Sequence, residues 1–355
     1  MQWALAEIGE DSDLWSFADF PLGHHASIHI PSSTANPIVT VQGLANPEKY
    51  FTSWNRRPCR PEMLSEQLAQ EDREMVLYEA HLFIENLKPV LAPNAVWVNP
   101  FESRRLVLSK ALQLEFAAKA GFKIPETLIS NNFDDVRAFI RTHSGSAIYK
   151  GFHQAGWTNG KSGEEYRNFT SIISEEDLTD PVSITSCPGI YQQLIRKKAE
   201  LRVAFFGDAC FGMRIHSQQS RLGQLDWRSD VARESQTEAA DLNDALVDKC
   251  RMFARNSGLL HGSIDLVESE SGELVFLEVN EMGQFLWLED YHPELRLLAG
   301  ATAFSLDPRA DFNPEQQKLP SISMEAYRNS STYREWLTVW DAYVERKVYP
   351  QTYTE

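Results

Sequence analysis

Three oxygen-bearing side chains in the last third of the sequence are spaced like the ligands of a metal ion. The stretch ELVFLEVNEMGQFLWLE, residues 273–289, places Glu278 and Asn280 on one face of a strand, because strand side chains alternate between faces. The preceding stretch, HGSIDLVESESGE, has a second strand pattern, and a hairpin with its loop at 270–273 sets Asp265 opposite Glu278. Two opposed carboxylates are destabilising unless a cation lies between them. Their oxygen chemistry predicts Mg²⁺ or Mn²⁺, bound together with the phosphates of a ligand.

The same alternation predicts which apolar residues accompany these ligands. Phe276 should share the face of Glu278 and Asn280. The opposite face should carry Val275, Leu277 and Val279. The alternative interpretation is an ordinary half-buried strand whose polar face lies in water.

Two lysines and a glycine-rich segment could hold those phosphates. Lys110 lies in a predicted helix, and Lys150 ends the apolar strand SAIYKGF, whereas most lysines are exposed to solvent. Four glycines between 151 and 163 would let backbone amides approach phosphate oxygens, which predicts a mobile flap. The stretch AGWTNGKS, residues 155–162, is also a relaxed match to a Walker phosphate loop. That alternative requires a helix directly after the loop, and a polar stretch follows instead.

Composition limits the class of protein. A chain of 355 residues with 43% hydrophobic residues is globular and long enough for two or three subdomains. The net charge of −16 and the pI of about 5.1 argue against a broad nucleic-acid or anionic-membrane surface. The four cysteines are widely spaced, and we find no signal peptide or membrane-span pattern. These features predict a cytoplasmic protein.

Periodicity predicts the elements that must position these side chains. Residues 1–100 contain short strands and a helix from 61 to about 87, and SRRLVLSKALQLEFAAKAG predicts a helix that ends at Gly121. Next come a strand in KIPETLIS, a helix over 133–143 and the Lys150 strand. GIYQQLI is a strand, AELRVAFFGDACFGMRIHSQQ a hairpin turning at Gly207 and Asp208, and a helix from about 241 to 257 precedes the metal hairpin. The tail after about 324 has a helical pattern.

The order of these features resembles the ATP-grasp superfamily over roughly residues 95–300. Within it, the chain resembles the microviridin-type peptide macrocyclases, or graspetide ligases, and more distantly the glutamate ligases of ribosomal proteins. The motifs that carry this resemblance are NRRPCRP (55–61), WVNP (97–100), KALQLEFAAKAGFKIPETLISNN (110–132), SQQ (217–219), DWR (226–228) and FLEVNEMGQFLWLE (276–289). The implied fold is α/β (α+β), with ATP held between a central and a C-terminal antiparallel sheet in a three-subdomain enzyme.

The resemblance also implies roles for individual residues. Adenine would lie against the backbone of Gln193, Leu194 and Ile195, with the ribose near Glu200. Lys110 and Lys150 would bind phosphates. Mg²⁺ would bind to Asp265, Glu278 and Asn280, and two such ions would bridge the phosphates.

Arginines are the candidate catalytic residues. Arg202 and Arg228 match family arginines near the phosphates or the acyl-phosphate, and a planar guanidinium suits such anions. A further position is open between Arg214 and His216, which lie two residues apart. If the hairpin turn has three residues, 207–209, Arg202 opposes Arg214. The alternative for Arg228 is an ordinary surface pairing with a neighbouring aspartate.

The resemblance divides the chain into four parts. Residues 1–100 form an N-terminal subdomain, expected to be trimmed because the sequence starts in the helix-like MQWALAEIG. Residues 101–188 form the central subdomain, 189–305 the C-terminal subdomain with the metal site, and 306–355 a helical extension.

The predicted activity is an ATP-dependent ligase that joins a carboxylate to an amine or hydroxyl through an acyl-phosphate. The first hypothesis is modification or macrocyclisation of a ribosomal precursor peptide. One alternative is a ligase for free amino acids or small peptides, and another is a nucleotide-binding protein without ligase activity. The expected ligands are ATP, Mg²⁺ and a peptide or amino acid, and the sequence leaves the oligomeric state open, with a homodimer among the options.

Overall fold

The computed structural model describes residues 1–34, 36–56, 61, 64–143, 146–152, 156–158, 162–230, 235–296, 298–307 and 321–346. The chain divides into two compact units, one formed by Met1–Pro100 with Leu286–Glu355 and the other by Phe101–Phe285. Among the described helices, none combines the length and the apolar character needed to cross a membrane. The four-part division of the chain remains a prediction.

The N-terminal part of the first unit is built on two small sheets and one long helix. Its elements are α1 (Gln2–Glu7), β1 (Ala26–His29), β2 (Ile38–Val41), β3 (Thr52–Trp54), α2 (Arg73–Leu91) and β4 (Val96–Val98). Strands β1 and β2 pair antiparallel, whereas β3 and β4 pair parallel across the α2 crossover. Ile84 and Leu87 of α2 are buried against Phe20 and Val41. The helix predicted from residue 61 begins only at Arg73, after a short 3₁₀ turn.

The second unit begins with helices and a four-stranded sheet. Its elements are α3 (Phe101–Val107), α4 (Lys110–Lys119), β5 (Thr127–Ser130), α5 (Phe133–Thr142), β6 (Ala147–Lys150), β7 (Gly156–Thr158), β8 (Glu165–Arg167), β9 (Ser171–Ile172), α6 (Pro181–Ser186) and β10 (Gly189–Gln193). The antiparallel sheet has the order β5-β10-β6-β9, and α5 packs on it through Val136 and Ile140. Strands β7 and β8 form a separate antiparallel pair.

Ser109 divides the helix that the sequence predicts as continuous up to Gly121. Its hydroxyl accepts a hydrogen bond from the N–H of Leu112, which makes it the N-cap of α4. Such a cap stabilises a helix by about 1 kcal/mol. Lys110 is therefore the first residue of α4, next to the positive end of the helix dipole.

A five-stranded antiparallel sheet completes the second unit. Its elements are β11 (Lys197–Phe206), β12 (Ala209–Ile215), β13 (Thr237–Ala240), α7 (Asp244–Ser257), β14 (His261–Ser269) and β15 (Leu274–Asn280), with strand order β13-β12-β11-β14-β15. Helices α4 and α7 cover one face, where Ala117 and Phe253 pack with Val203 and Ile264 in the largest core cluster. Polar side chains of the other face border a cleft.

The β14–β15 hairpin has the predicted pairing at its functional end and a different pairing near its turn. Asp265 lies opposite Glu278, as predicted, but the register shifts by one residue between Asp265 and Leu266. This bulge at Leu277 re-aims the side chains that follow. The prediction that Phe276 shares the face of Glu278 is wrong, because Phe276 is buried in the core with Val279, whereas Leu277 lines the cleft.

The β11–β12 hairpin has the two-residue turn at Gly207 and Asp208. Phe206 pairs with Ala209, so Arg202 lies opposite Met213 and Arg214 lies opposite Leu201. The three-residue alternative, which paired Arg202 with Arg214, is wrong. Gly207 has a φ of 55°, which suits a tight turn of this kind. Arg202 and Arg214 consequently point to opposite faces of the sheet.

The described residues after Phe285 add the helices α8 (Leu288–Tyr291), α9 (Leu298–Leu306), α10 (Met324–Asn329) and α11 (Ser331–Arg346) to the first unit. Ala299 and Ala303 of α9 pack with Ala4 of α1 and with Ile322. The tail predicted as helical is divided at Ser330, which ends α10 in an extended conformation.

Candidate active site

The polar cleft of the second unit gathers residues from the four-stranded and the five-stranded sheet. Its larger cavity, about 200 Å³, is lined by the predicted residues Lys110, Lys150, Glu200, Arg228, Asp265, Glu278 and Asn280. A smaller cavity of about 50 Å³ is lined by Gln193, Leu194 and Ile195, and shares Lys150, Glu200 and Arg228 with the larger one. The two cavities therefore adjoin, with the predicted adenine segment at one end and the predicted metal ligands at the other.

Glu278 is held between two cationic side chains. Its Oε2 accepts a hydrogen bond from Lys110 Nζ at 2.6 Å, and its Oε1 accepts one from Arg228 Nη1 at 3.1 Å. Burial acts to raise the pKa of Glu278, but the charges of Lys110 and Arg228 outweigh it and lower the pKa to about 2. Glu278 is therefore an anion throughout the physiological pH range.

Lys150 contacts a neutral partner. Its Nζ donates to Gln192 Oε1 at 2.9 Å, and the Gln192 amide in turn donates to Thr127 Oγ1 at 2.9 Å. Burial is the main cause that lowers the pKa of Lys150, opposed by the charge of Glu278. An anion bound in the cavity would favour the charged form of this lysine.

Asp265 forms a buried ion pair with Arg202. Arg202 Nη1 lies 3.1 and 3.3 Å from the two carboxylate oxygens, and Nη2 donates to the carbonyl of Gln284 at 3.2 Å. Burial raises the pKa of Asp265, and the guanidinium of Arg202 opposes this shift without cancelling it. The repulsion expected between Asp265 and Glu278 is thus relieved by protein cations.

The donor set of the cleft fits a hard metal ion that brings further ligands. Asp265, Glu278 and Asn280 line the same cavity and offer two carboxylates and an amide oxygen, the donors that Mg²⁺ prefers. Over the ranges that the structure describes, no group of three or more His, Cys, Asp or Glu side chains could hold a metal ion. An ion here would need water or phosphate oxygens as additional ligands.

Arg228 is positioned by a neighbour that sequence reasoning treated only as an alternative partner. Asp226 accepts from Arg228 Nε at 2.9 Å and from Nη2 at 3.3 Å, while its own side chain caps the 3₁₀ turn Trp227–Ser229. Asp226 is only 5% exposed, and Thr170 also donates to it at 3.4 Å. The pairing with Asp226 leaves Arg228 Nη1 aimed at Glu278. The structure therefore has the pairing with the neighbouring aspartate, and a role of Arg228 at the phosphates remains a prediction. In the sequence, the signal for this pairing was the aspartate that lies two residues before the arginine.

Glu200 has a partner that the sequence analysis missed. Lys197 Nζ lies 2.6 Å from Glu200 Oε1 and also donates to the carbonyl of Leu225 at 2.9 Å. Burial raises the pKa of Glu200, and the charge of Lys197 opposes this. Lys197 and Glu200 are three residues apart on β11, across a bulge, so strand alternation alone would not have paired them.

The predicted adenine segment is anchored next to the four-stranded sheet. The N–H of Gln193 donates to the carbonyl of Glu126 at 2.9 Å, and the N–H of Leu194 donates to that of Ser146 at 2.7 Å. These two amides are engaged, so an adenine ring at this segment would use other backbone groups. The role of the segment remains a prediction.

Arg214 and His216 are not brought to the cleft. Arg214 Nε lies 3.4 Å and His216 Nε2 3.3 Å from the same Glu238 oxygen, and Arg214 also pairs with Glu268. Neither residue lines the two cavities. The one-residue difference in hairpin register explains why Arg214 lies on the other face from Arg202.

The glycine-rich segment after Lys150 is described only in part. Residues 153–155 and 159–161 lie outside the described residues, and with them Lys161 of the Walker-like stretch. Strand β8 follows Ser162 closely and pairs with β7. A Walker loop leads directly into a helix, so this strand pair does not support the Walker alternative.

Solved structures supply the comparison. No family model and no curated protein matches the chain. The macrocyclase MdnC of Microcystis aeruginosa MRC, bound with precursor peptide MdnA, is 27% identical, with coverage of 82% of this chain and 90% of that one and a TM-score of 0.69. A RiPP-associated ATP-grasp ligase of Chryseobacterium gregarium, in complex with ADP and a leader and core peptide, is 25% identical, with coverage of 86% and 91% and a TM-score of 0.76.

A third structure has the same fold at lower identity. The ATP-grasp ligase PsnB, complexed with a phosphomimetic variant of its minimal precursor, Mg and ADP, is 19% identical, with coverage of 82% of this chain and 87% of that one and a TM-score of 0.57.

The two antiparallel sheets around a cationic and carboxylate-lined cleft define an ATP-grasp ligase, an enzyme class that forms amide or ester bonds with release of ADP and phosphate. Among ATP-grasp ligases, the chain is similar to the microviridin-type enzymes of RiPP biosynthesis, as its motifs predicted. The predicted mixed fold with antiparallel sheets is confirmed.

Proposed function

We propose that this ATP-grasp ligase joins side chains of a ribosomal precursor peptide by amide or ester bonds. The observation that carries the proposal is the convergence of Lys110, Lys150 and Arg228 with Asp265, Glu278 and Asn280 around one cavity. The similarity to peptide-bound ligases over more than four-fifths of the chain supports a peptide as the substrate.

The chemistry requires activation of a carboxylate. A carboxylate does not react with an amine or hydroxyl at neutral pH, because oxide or hydroxide would have to leave. Transfer of the γ-phosphoryl group of ATP gives an acyl-phosphate, whose phosphate leaves readily when the nucleophile attacks. Catalysis of such a transfer is mostly positioning and charge stabilisation.

Each cleft residue has a role in this scheme. Lys110 and Lys150 bind phosphate oxygens, and Arg228 neutralises charge that develops on the transferred group. Gln193, Leu194, Ile195 and Glu200 border the nucleoside end. Asp265, Glu278 and Asn280 hold Mg²⁺, which would supply charge neutralisation of the phosphates.

Further parts of the proposal concern water, ions and assembly. The glycine-rich segment after Lys150 acts as a cover that excludes water, since water would hydrolyse an acyl-phosphate. A second metal ion, the use of Mn²⁺, a homodimer and a cytoplasmic location stay expectations. Arg202 serves the site through Asp265, because its guanidinium contacts that carboxylate.

The test is a ligation assay on the full chain. Purified protein is incubated with ATP, Mg²⁺ and candidate precursor peptides rich in Thr or Ser with Asp, Glu or Lys, and the products are weighed by mass spectrometry. We expect the peptide to lose the mass of one water for each bond closed, only when ATP is present. ATP-dependent ligation of free amino acids with no change in any peptide would contradict the peptide assignment.

Arg228→Lys should lower ligation by about 100-fold while the melting temperature stays close to that of the wild type. Lysine keeps the charge but cannot hold Asp226 with two N–H groups and reach Glu278 with a third. Steady-state ligation rates and thermal melts give the two readings. Arg137→Lys, an exposed arginine of α5 that pairs with Glu175, is the matched control. Near-normal ligation by Arg228→Lys would remove this residue from the catalytic set.

A further inference from the structure

The side chains that should bind phosphate already neutralise the side chain that should bind metal. Lys110 and Arg228 each donate to one carboxylate oxygen of Glu278, at 2.6 and 3.1 Å. The Glu278 side chain is 22% exposed and Lys110 is 27% exposed, so both are partly shielded from water. Charges in such a position are screened less by salt than surface charges are.

Because of these ion pairs, a metal ion alone or a polyphosphate alone should bind less favourably than the metal–polyphosphate complex. A divalent cation alone would have to displace Lys110 or Arg228 from Glu278, which leaves a cationic side chain beside the ion. A polyphosphate alone would draw these cations away, which leaves Glu278 beside the added negative charge. Uncompensated charges of this kind are unfavourable in a partly buried site. A metal–polyphosphate complex supplies phosphates to Lys110 and Arg228 and a metal ion to Glu278. Neither the cations nor the carboxylate is then left unpaired.

We propose that Lys110 and Arg228 act as counter-ions that keep divalent cations off Glu278 until a nucleotide polyphosphate pairs with these two side chains. The cleft then accepts a metal–polyphosphate complex and discriminates against the free metal ion. This inference rests on the nucleotide site of the proposed function and adds a rule for how that site is filled. The coupling is reciprocal, so the metal strengthens nucleotide binding by the same factor as the nucleotide strengthens metal binding.

Lys150 and Arg202 are arranged differently from the two cations that contact Glu278. Lys150 donates its hydrogen bond to the neutral Gln192 and not to a metal ligand. Arg202 pairs with Asp265, donates to the Gln284 carbonyl and is only 6% exposed. It is therefore not placed to exchange Asp265 for a phosphate. Lys110 is therefore the residue whose removal should separate the two effects, since its amine contacts Glu278 directly.

Titration with Mn²⁺, followed by the electron paramagnetic resonance signal of the free ion and corrected with a protein-free ADP blank for the Mn²⁺ that ADP binds in solution, tests the proposal on the full chain without peptide. We expect wild-type protein to bind Mn²⁺ weakly alone and about tenfold or more tightly with saturating ADP. Lys110→Met should bind Mn²⁺ alone about tenfold or more tightly than the wild type does, because Glu278 has lost one counter-ion. The increase in Mn²⁺ affinity that ADP causes should be smaller in this variant than in the wild type.

Matched variants locate the effect. Lys119→Met, at the other end of α4, removes a lysine that pairs with the surface residue Glu115, and should behave as the wild type does. Glu278→Gln should lose the ADP-dependent Mn²⁺ binding. Lys110→Gln serves as a second variant if thermal melts show that Lys110→Met is poorly folded.

Two results would overturn the proposal: equal Mn²⁺ affinity of the wild type with and without ADP, or no gain in Mn²⁺ affinity in either Lys110 variant. Its failure is distinguishable from failure of the peptide assignment. Coupled Mn²⁺ and ADP binding in a protein that joins no side chains of any peptide would support this inference and contradict the peptide assignment. Peptide ligation by a protein whose Mn²⁺ and ADP binding are not coupled would support the peptide assignment and contradict this inference.

Discussion

Glu278→Gln should lower ATP-dependent ligation by about 100-fold or more, the scale seen when one group that stabilises transition-state charge is removed. Glutamine keeps the shape of the side chain but removes the negative charge that faces Lys110 and Arg228. It also replaces one of the two carboxylates, Asp265 and Glu278, that line the cavity with Asn280 as predicted metal ligands. Ligation rates at saturating ATP, with thermal melts alongside, measure the effect.

Glu273→Gln is the control for this change, because it makes the same substitution at the turn end of the same hairpin. Glu273 pairs with Lys123 at the surface, where an ion pair stabilises the fold by about 0–1 kcal/mol. We expect near-normal ligation from this variant. Equal activity of Glu278→Gln and the wild type would show that Glu278 takes no part in catalysis or metal binding.

Arg202→Met should give the largest loss of stability among the changes considered, about 3–5 kcal/mol in the free energy of unfolding. Arg202 and Asp265 have side chains only 7% and 9% exposed, so the substitution leaves a buried carboxylate without its cation. The bond to the Gln284 carbonyl is lost as well. Urea denaturation measured at neutral pH gives the change.

A second substitution distinguishes loss of pairing from loss of packing. Arg202→Met combined with Asp265→Leu should recover much of the stability, because an apolar replacement of a buried ion pair is often neutral or stabilising. Arg214→Met, on the opposite face of the same sheet and 34% exposed, should cost much less than Arg202→Met. An Arg202→Met protein as stable as the wild type would contradict the buried-pair assignment.

Much of the site followed from local patterns because the relevant chemistry is local. The alternation of apolar and polar residues together with the turn at 270–273 predicted that Asp265 faces Glu278, and the structure has that pair. An apolar strand ending in Lys150 predicted a shielded lysine, and β6 ends at that residue. Both predictions depend only on strand period and turn position, which neighbouring residues determine.

Errors arose where one residue changed a register. The bulge at Leu277 moved Phe276 into the core, and a two-residue turn rather than a three-residue turn moved Arg214 away from Arg202. A shift of one residue sends every following side chain to the other face of a sheet. Packing of the whole sheet selects between such registers, and no local pattern in the sequence encodes that selection.

The sequence by itself determined the fold class, the hairpins that carry the oxygen ligands, and the residue types available for phosphate and metal. Tertiary structure alone decided which charges neutralise one another. Lys110 and Glu278 are 168 positions apart, and Arg202 and Asp265 are 63 apart. Ion pairs between such distant residues depend on how two sheets and a helix N-terminus come together, because Coulomb attraction acts on distance in space and is indifferent to distance along the chain.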